Sequence, residues 1–327
     1  MTEIVHRHAT GRWRHLPFKL LATLLMIGGS VVATSGAASA ASRPSNVSNI
    51  DVIRISNEIY VVGALSKSGH ISVETVVCPS YDRTCQKHGW TDLGGGFTSM
   101  IVEEIASSPV VIGLRSNGDT WFRRGSCSGI YCSWGAWRAL GGTVTNLASS
   151  SSSGCARLAG KTRTNRVYRA SICENSVQWW TSTGGTLSQI AMFQDRIFGT
   201  SPSGSLWWNN GTRWMSGGGR ITQPSTHLSD SDEYCGLAGS GRNLWCFSTY
   251  SYKWTNWGGY WRKLDDSKTI GIGKDWSAWT HYGYQTKGYG GSVNQIAEAG
   301  SLHVAVGSDY RPWYQNTYDG ANGWNAL

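Results

Sequence analysis

Charge is scarce in this 327-residue chain: Asp, Glu, Lys and Arg make up 15% of it, and no run of Lys or Arg is longer than two. Such a chain lacks the basic footprint of a nucleic-acid-binding protein. Proline (7), phenylalanine (6) and methionine (5) are also few. The runs of Ala, Glu, Lys and Leu that build long helices or coiled coils are missing. No CxxC pair occurs, which argues against a zinc site, and HExxH, nucleophile-elbow and phosphate-loop patterns are absent. After residue 32 no apolar run is long enough to span a membrane.

What the chain has instead is glycine (42), tryptophan (18) and tyrosine (14), in a sequence that is 40% hydrophobic. That is too apolar and aromatic for disorder. It suits short strands joined by tight turns.

The first 40 residues read as an export signal. Arg7, Arg12, Arg14 and Lys19 precede an apolar stretch from Leu20 to Val32, and Ala38-Ser39-Ala40 supplies small residues for cleavage. A single β-domain is then expected over residues 41–327. Residues 1–40 carry four Lys/Arg and one acid, so the net charge of +9 falls by three on their removal. The remaining excess favours weak steering toward anionic surfaces. All eight cysteines lie beyond the signal, and an even count in an exported chain implies disulfides.

Self-similarity sets the architecture. One unit recurs as an aromatic, two or three residues, glycines, and an apolar–polar–polar–apolar step: Trp90-Thr-Asp-Leu-Gly-Gly leads to Phe97-Thr-Ser-Met100, Trp137-Arg-Ala-Leu-Gly-Gly to Val144-Thr-Asn-Leu147, and Trp180-Thr-Ser-Thr-Gly-Gly to Leu187-Ser-Gln-Ile190. Trp214 and Tyr289 head further copies, and Trp261-Arg-Lys-Leu264 reads as one with Asp265-Asp266 in place of the glycines. A second unit pairs an apolar strand with a strand bearing Trp121, Trp207, Trp245 or Trp313, with Tyr168 in a fifth copy. The chain ends hold two halves of one marker, Val47-Ser-Asn-Ile50 and Trp324-Asn-Ala-Leu327. A split repeat is how a closed ring is sealed.

Seven units of about 40 residues predict an all-β, seven-bladed β-propeller, closed by N- and C-terminal strands that complete one blade. Six blades with an irregular insertion is the alternative, because the sixth unit, about residues 265–291, reads as short, with Trp276, Trp279 and Tyr282 as its anchors. The register pairs Cys78 with Cys85 and Cys127 with Cys132 across third-to-fourth-strand loops. It pairs Cys155 with Cys173 and Cys235 with Cys246 across central hairpins.

The W-x-x-L-G-G turn, the V-T-N-L or L-S-Q-I strand after it, and the G-x-L-W strand resemble those of the secreted β-propeller lectins of the tachylectin, tectonin and PLL type. The resemblance spans residues 44–327. It implies shallow glycan pockets between blades and multivalency from the ring. The chain departs from the pattern in its sixth unit and its disulfides.

Sugar binding needs a flat apolar ring and a few polar groups to fix hydroxyls. Tryptophans repeated in every blade are most simply blade-to-blade packing. The ligand candidates are therefore the non-repeated aromatics Trp134, Trp179, Trp208, Trp254, Trp257, Tyr250 and Tyr252. Catalytic residues, metal and cofactor are not expected. A glycan-cleaving enzyme needs paired carboxylates. The tight clusters Asp230, Asp232, Glu233 and Asp265, Asp266 read as solvated turns. The expected function is a secreted, multivalent lectin acting on cell-surface glycans. A protein-binding or structural propeller is the alternative, and an extracellular glycan-cleaving enzyme comes last.

Overall fold

The computed structural model describes residues 42–79, 85–226, 233–265, 270–282, 285–317 and 323–327. The expected signal segment lies outside them. Thirty strands form seven antiparallel sheets, and no helix occurs among the described residues. Each sheet is a blade of consecutive strands, covering 47–94, 97–141, 146–186, 189–218, 222–258, 261–290 and 293–326. The fold is a seven-bladed β-propeller. Blades 1 and 2 carry a split outer edge, Gln86–Lys87 with Thr91–Gly94 and Tyr131–Trp134 with Arg138–Gly141.

One backbone seam repeats seven times. In every blade the turn between the second and third strands closes with a hydrogen bond of 2.8–3.1 Å: Gly69 N–H to Ser66 O, Gly118 to Arg115, Asn165 to Thr162, Gly204 to Ser201, Arg242 to Gly239, Trp276 to Gly273 and Tyr310 to Gly307. All seven donors have positive φ, and three of them are glycine. The carbonyl of the same corner residue then accepts the first N–H of the next blade's inner strand. Phe97 bonds Gly69 (3.1 Å), Val144 Gly118 (3.1 Å), Leu187 Asn165 (2.8 Å), Ile221 Gly204 (3.0 Å), Trp261 Arg242 (3.2 Å) and Val293 Trp276 (2.9 Å). The seventh bond, Val47 N–H to Tyr310 O at 2.9 Å, ties the first blade to the last.

This seam corrects two expectations. The split marker does seal the ring, but no blade is shared between the chain ends. The W-x-x-L part is the outer strand of one blade and the V-T-N-L part is the inner strand of the next, so the marker straddles a junction. The ends meet in a common core of Val47, Ile50, Val304, Val306, Tyr314 and Leu327. Gln295 Oε1 accepts the Ile50 N–H at 3.1 Å, and Lys87 Nζ donates to Ala326 O at 2.8 Å.

Blade 6 is also complete, with four strands from Trp261–Leu264 to Gln285–Gly290. Trp261 stands where Phe97 and Val144 stand, as an inner-strand residue, and is buried. The fifth outer marker is Trp254-Thr-Asn-Trp257-Gly-Gly. Trp257 takes the leucine place, so in the sequence the motif shows more clearly at Trp261.

The marker's composition has a packing cause. The outer-strand indole of one blade crosses the glycine turn of the blade before it. Trp137 Nε1–H donates to Leu93 O (2.7 Å), Trp180 to Gly141 O (3.1 Å), Trp214 to Thr183 O (2.9 Å), Trp254 to Gly217 O (2.9 Å) and Trp324 to Gly290 O (3.3 Å). A Cβ on Gly142 would lie 2.7 Å from the Trp180 indole, and one on Gly185 2.2 Å from Trp214. No side chain larger than hydrogen fits there.

All four disulfides form as the register predicts, with Cα–Cα distances of 4.0–4.3 Å and no free cysteine. They suit an oxidising compartment. Chain direction puts Cys78–Cys85, Cys127–Cys132 and Cys155–Cys173 toward the turns between strands one and two and between three and four. The junction turns lie at the opposite end of each blade.

Candidate ligand-binding pockets at the blade junctions

Pockets of one design open at three junctions. Each is floored by the glycine turn of the preceding blade and the start of the next inner strand. Its wall is the turn between strands two and three together with the third-strand tryptophan. The blade 4 pocket, about 440 Å³, is lined by Gly184, Gly185, Thr186, Leu187, Ser201, Ser203, Ser205, Trp207, Trp214 and Ser216. The blade 6 pocket, about 490 Å³, is lined by Gly259, Tyr260, Trp261, Gly273, Lys274, Asp275 and Trp279. The blade 7 pocket, about 320 Å³, is lined by Gly291, Ser292, Val293, Gly307, Ser308, Asp309, Trp313 and Trp324. These volumes suit a small ligand.

Trp207, Trp279 and Trp313 occupy one register position and are partly buried. Trp207 and Trp279 also pack against the cores their blades share with the preceding blade. Alternation along the strand explains the split with their neighbours, since Trp208 turns to the other face of the sheet.

The polar rims differ. In blade 4 they are hydroxyls, with Ser201 Oγ 2.8 Å from Ser203 Oγ and accepting the Ser205 N–H at 3.2 Å. In blades 6 and 7 a carboxylate sets the indole. Asp309 Oδ1 accepts the Trp313 Nε1–H at 3.1 Å and the Arg311 N–H at 3.1 Å. Asp275 Oδ1 accepts the Ser277 N–H at 3.1 Å and the Ser277 hydroxyl, whose oxygen accepts the Trp279 Nε1–H. The Ser277 hydroxyl bond, helped by the Ser277 N–H, holds the Asp275 carboxyl below its ordinary pKa.

In blades 6 and 7 a glycine stands behind the indole. A Cβ on Gly273 would sit 2.7 Å from Trp279 Nε1, and one on Gly307 2.8 Å from Trp313 Nε1.

The aromatics singled out from sequence lie elsewhere. Trp208 is 3% exposed and packs among Phe247 and Tyr234, with ring centroids at 5.3 and 6.0 Å. Trp254 makes the junction contact described above. Trp257 is partly buried against the Cys235–Cys246 core. Trp134 covers Gly125, whose added Cβ would lie 3.1 Å from the ring. Tyr252 (61% exposed) stands 6.5 Å from Trp208, and Tyr250 (89%) and Trp179 (62%) project into solvent. Trp208, Tyr252 and Trp254 gather around Phe247 in one aromatic cluster, whereas Trp134 and Trp179 sit on blades 2 and 3. None of these seven lines the three junction pockets.

The rings that line them repeat from blade to blade; Trp207 and Trp279 pack as that repetition predicts and also face the pockets. The missed signal was in the turn: Ser201, Gly273 and Gly307 stand six residues before the tryptophan, and an oxygen-bearing Ser203, Asp275 or Asp309 four before it.

Asp230, Asp232 and Asp266 lie outside the described residues. Asp265 accepts the Ser225 hydroxyl through its backbone carbonyl at 2.7 Å. Among the described residues, the one group with metal-ligand spacing is Glu233, Cys235 and Cys246, and both of its sulfurs are committed to the disulfide.

No family model and no curated protein matches the sequence. Solved structures match its fold. An uncharacterised protein of Listeria monocytogenes aligns with a TM-score of 0.52 and 12% identity, covering 87% of this chain and 95% of that one. A chain of the mitotic checkpoint complex aligns at 0.48 and 11% (94% and 99% covered), and the SapL1 lectin in complex with α-methyl fucoside at 0.47 and 12% (87% and 96%). At such identities the Listeria match supports the fold alone, and the two weaker alignments carry no inference about ligands.

Proposed function

We propose that this protein is a secreted, multivalent carbohydrate-binding protein of the propeller-lectin kind, without catalytic activity. The observation that carries the reading is the recurrence of one shallow pocket at three junctions, each offering an indole beside hydroxyl or carboxylate groups. A pyranose presents an apolar C–H face and a rim of hydroxyls, which such a wall complements. Single sites of this openness bind weakly, and a ring of them gains affinity on a glycan-coated surface through effective concentration. Secretion is supported by the pattern of residues 1–40 and by the four disulfides. The similarity to the tachylectin, tectonin and PLL lectins points the same way, through the marker motifs alone.

A glycan array probed with labelled residues 41–327 tests this. Binding to one related set of glycans, competed by the free sugar, is expected. Trp207→Ala, Trp279→Ala and Trp313→Ala should each remove one bound sugar per chain while the fold persists. A blank array with folded, disulfide-bonded protein would refute the reading. Weight would then move to a protein-binding propeller, which the exposed aromatics Trp179, Tyr250 and Tyr252 favour.

A further inference from the structure

Blade 2 has the frame of the junction pocket and one difference. Its third strand carries Trp121 in the register of Trp207, Trp279 and Trp313. Asn117 and Asp119 stand where Asp275 and Ser277 stand in blade 6, and Asn117 Nδ2 donates to Asp119 Oδ2 at 2.6 Å. The same turn bond closes the loop, from Gly118 N–H to Arg115 O at 3.0 Å. Six residues before the tryptophan, however, blade 2 has Arg115, where the open pockets have Ser201, Gly273 and Gly307.

That position abuts the indole. A long side chain that starts there lies against the ring. Arg115 runs over it: its Cζ lies 4.4 Å from the Trp121 ring centroid and 5.5 Å from that of Phe97. The guanidinium lies over the indole, and cation–π attraction holds it there.

We propose that Arg115 closes the blade 2 site against a sugar. The inference rests on the glycan-binding reading for its ligand. Its geometry is independent of it.

The test replaces the arginine by the residue of blade 4, Arg115→Ser. It counts molecules of the array-selected monosaccharide bound per chain by native mass spectrometry. One more than wild type is expected, and the gain should vanish in Arg115→Ser/Trp121→Ala. The reciprocal variant Ser201→Arg should bind one fewer, and it decides the matter if Arg115→Ser fails to fold. In parallel, N-bromosuccinimide oxidation of Trp121, read by peptide mass, should rise in Arg115→Ser to match that of Trp207. Folded Arg115→Ser with unchanged stoichiometry and unchanged Trp121 oxidation would overturn the proposal. If neither protein binds any sugar, the function proposed above fails, and the oxidation rate alone decides whether Arg115 covers the ring.

Discussion

Gly141 and Gly142 are adjacent, both have positive φ (66° and 101°), and they face different surroundings. An alanine at either position strains the backbone by about 1–2 kcal/mol. At Gly141 that is the whole cost, since a Cβ there meets nothing within 4 Å. At Gly142 the Cβ would approach Trp180 Nε1 to 2.7 Å and Cδ1 to 2.8 Å. Moving the indole adds an overpacking cost of about 1–3 kcal/mol. It also breaks the bond from Trp180 to Gly141 O, worth about 1 kcal/mol. Gly142→Ala should therefore lose about 3–6 kcal/mol, against about 1–2 for Gly141→Ala. In a domain of this size the gap corresponds to roughly 5–10 °C in Tm. Differential scanning calorimetry under non-reducing conditions reads it directly. Gly142→Ala/Trp180→Ala should cost less than the sum of its parts, because the second change removes the clash made by the first. If the two glycine variants melt together, the argument that the glycine turn exists to seat the next blade's tryptophan is wrong.

Removing the Cys155–Cys173 bridge by double serine substitution should cost about 3 kcal/mol, and removing Cys127–Cys132 about 2, because the sequence separations are 18 and 5; urea unfolding of both variants checks the order. Trp208→Ala should destabilise by about 3–5 kcal/mol and Trp179→Ala by no more than about 0.5, as thermal melts will show. Asp275 is expected to titrate below the usual carboxylate range by carbon-detected NMR, and Ser277→Ala should move it back up. A depressed acid stabilises the fold above its unfolded pKa and loses that contribution as pH falls through the folded one, so wild type should lose more stability than Ser277→Ala on acidification below about pH 4.

Much of the ring was legible because its physics is local and repeated. Trp137, Trp180 and Trp214 with their glycine turns announce junctions wherever the chain crosses from blade to blade, and the two half-markers at the ends announce closure. The cysteine pairs followed from that register. The misreadings arose where one aromatic substitutes for another. Trp257 in a leucine place moved the marker to Trp261 and made blade 6 look short. The site was less legible, since Trp207 and Trp208 are neighbours of identical chemistry. Repetition pointed to packing for Trp207, and its absence pointed to a ligand for Trp208. In the folded blade Trp208 is core, and Trp207 both packs on a core edge and walls a pocket.

The sequence by itself determined a ring of repeated β units and their disulfide pairs, because turn glycines, alternation and cysteine spacing act over a few residues. Only the tertiary structure decided which face of each strand meets a neighbouring blade and which meets solvent. That choice depends on what lies against each ring: across the junction, a glycine turn that admits the outer-strand indole; within the blade, a serine, a glycine or, at Arg115, a longer side chain beside the third-strand ring.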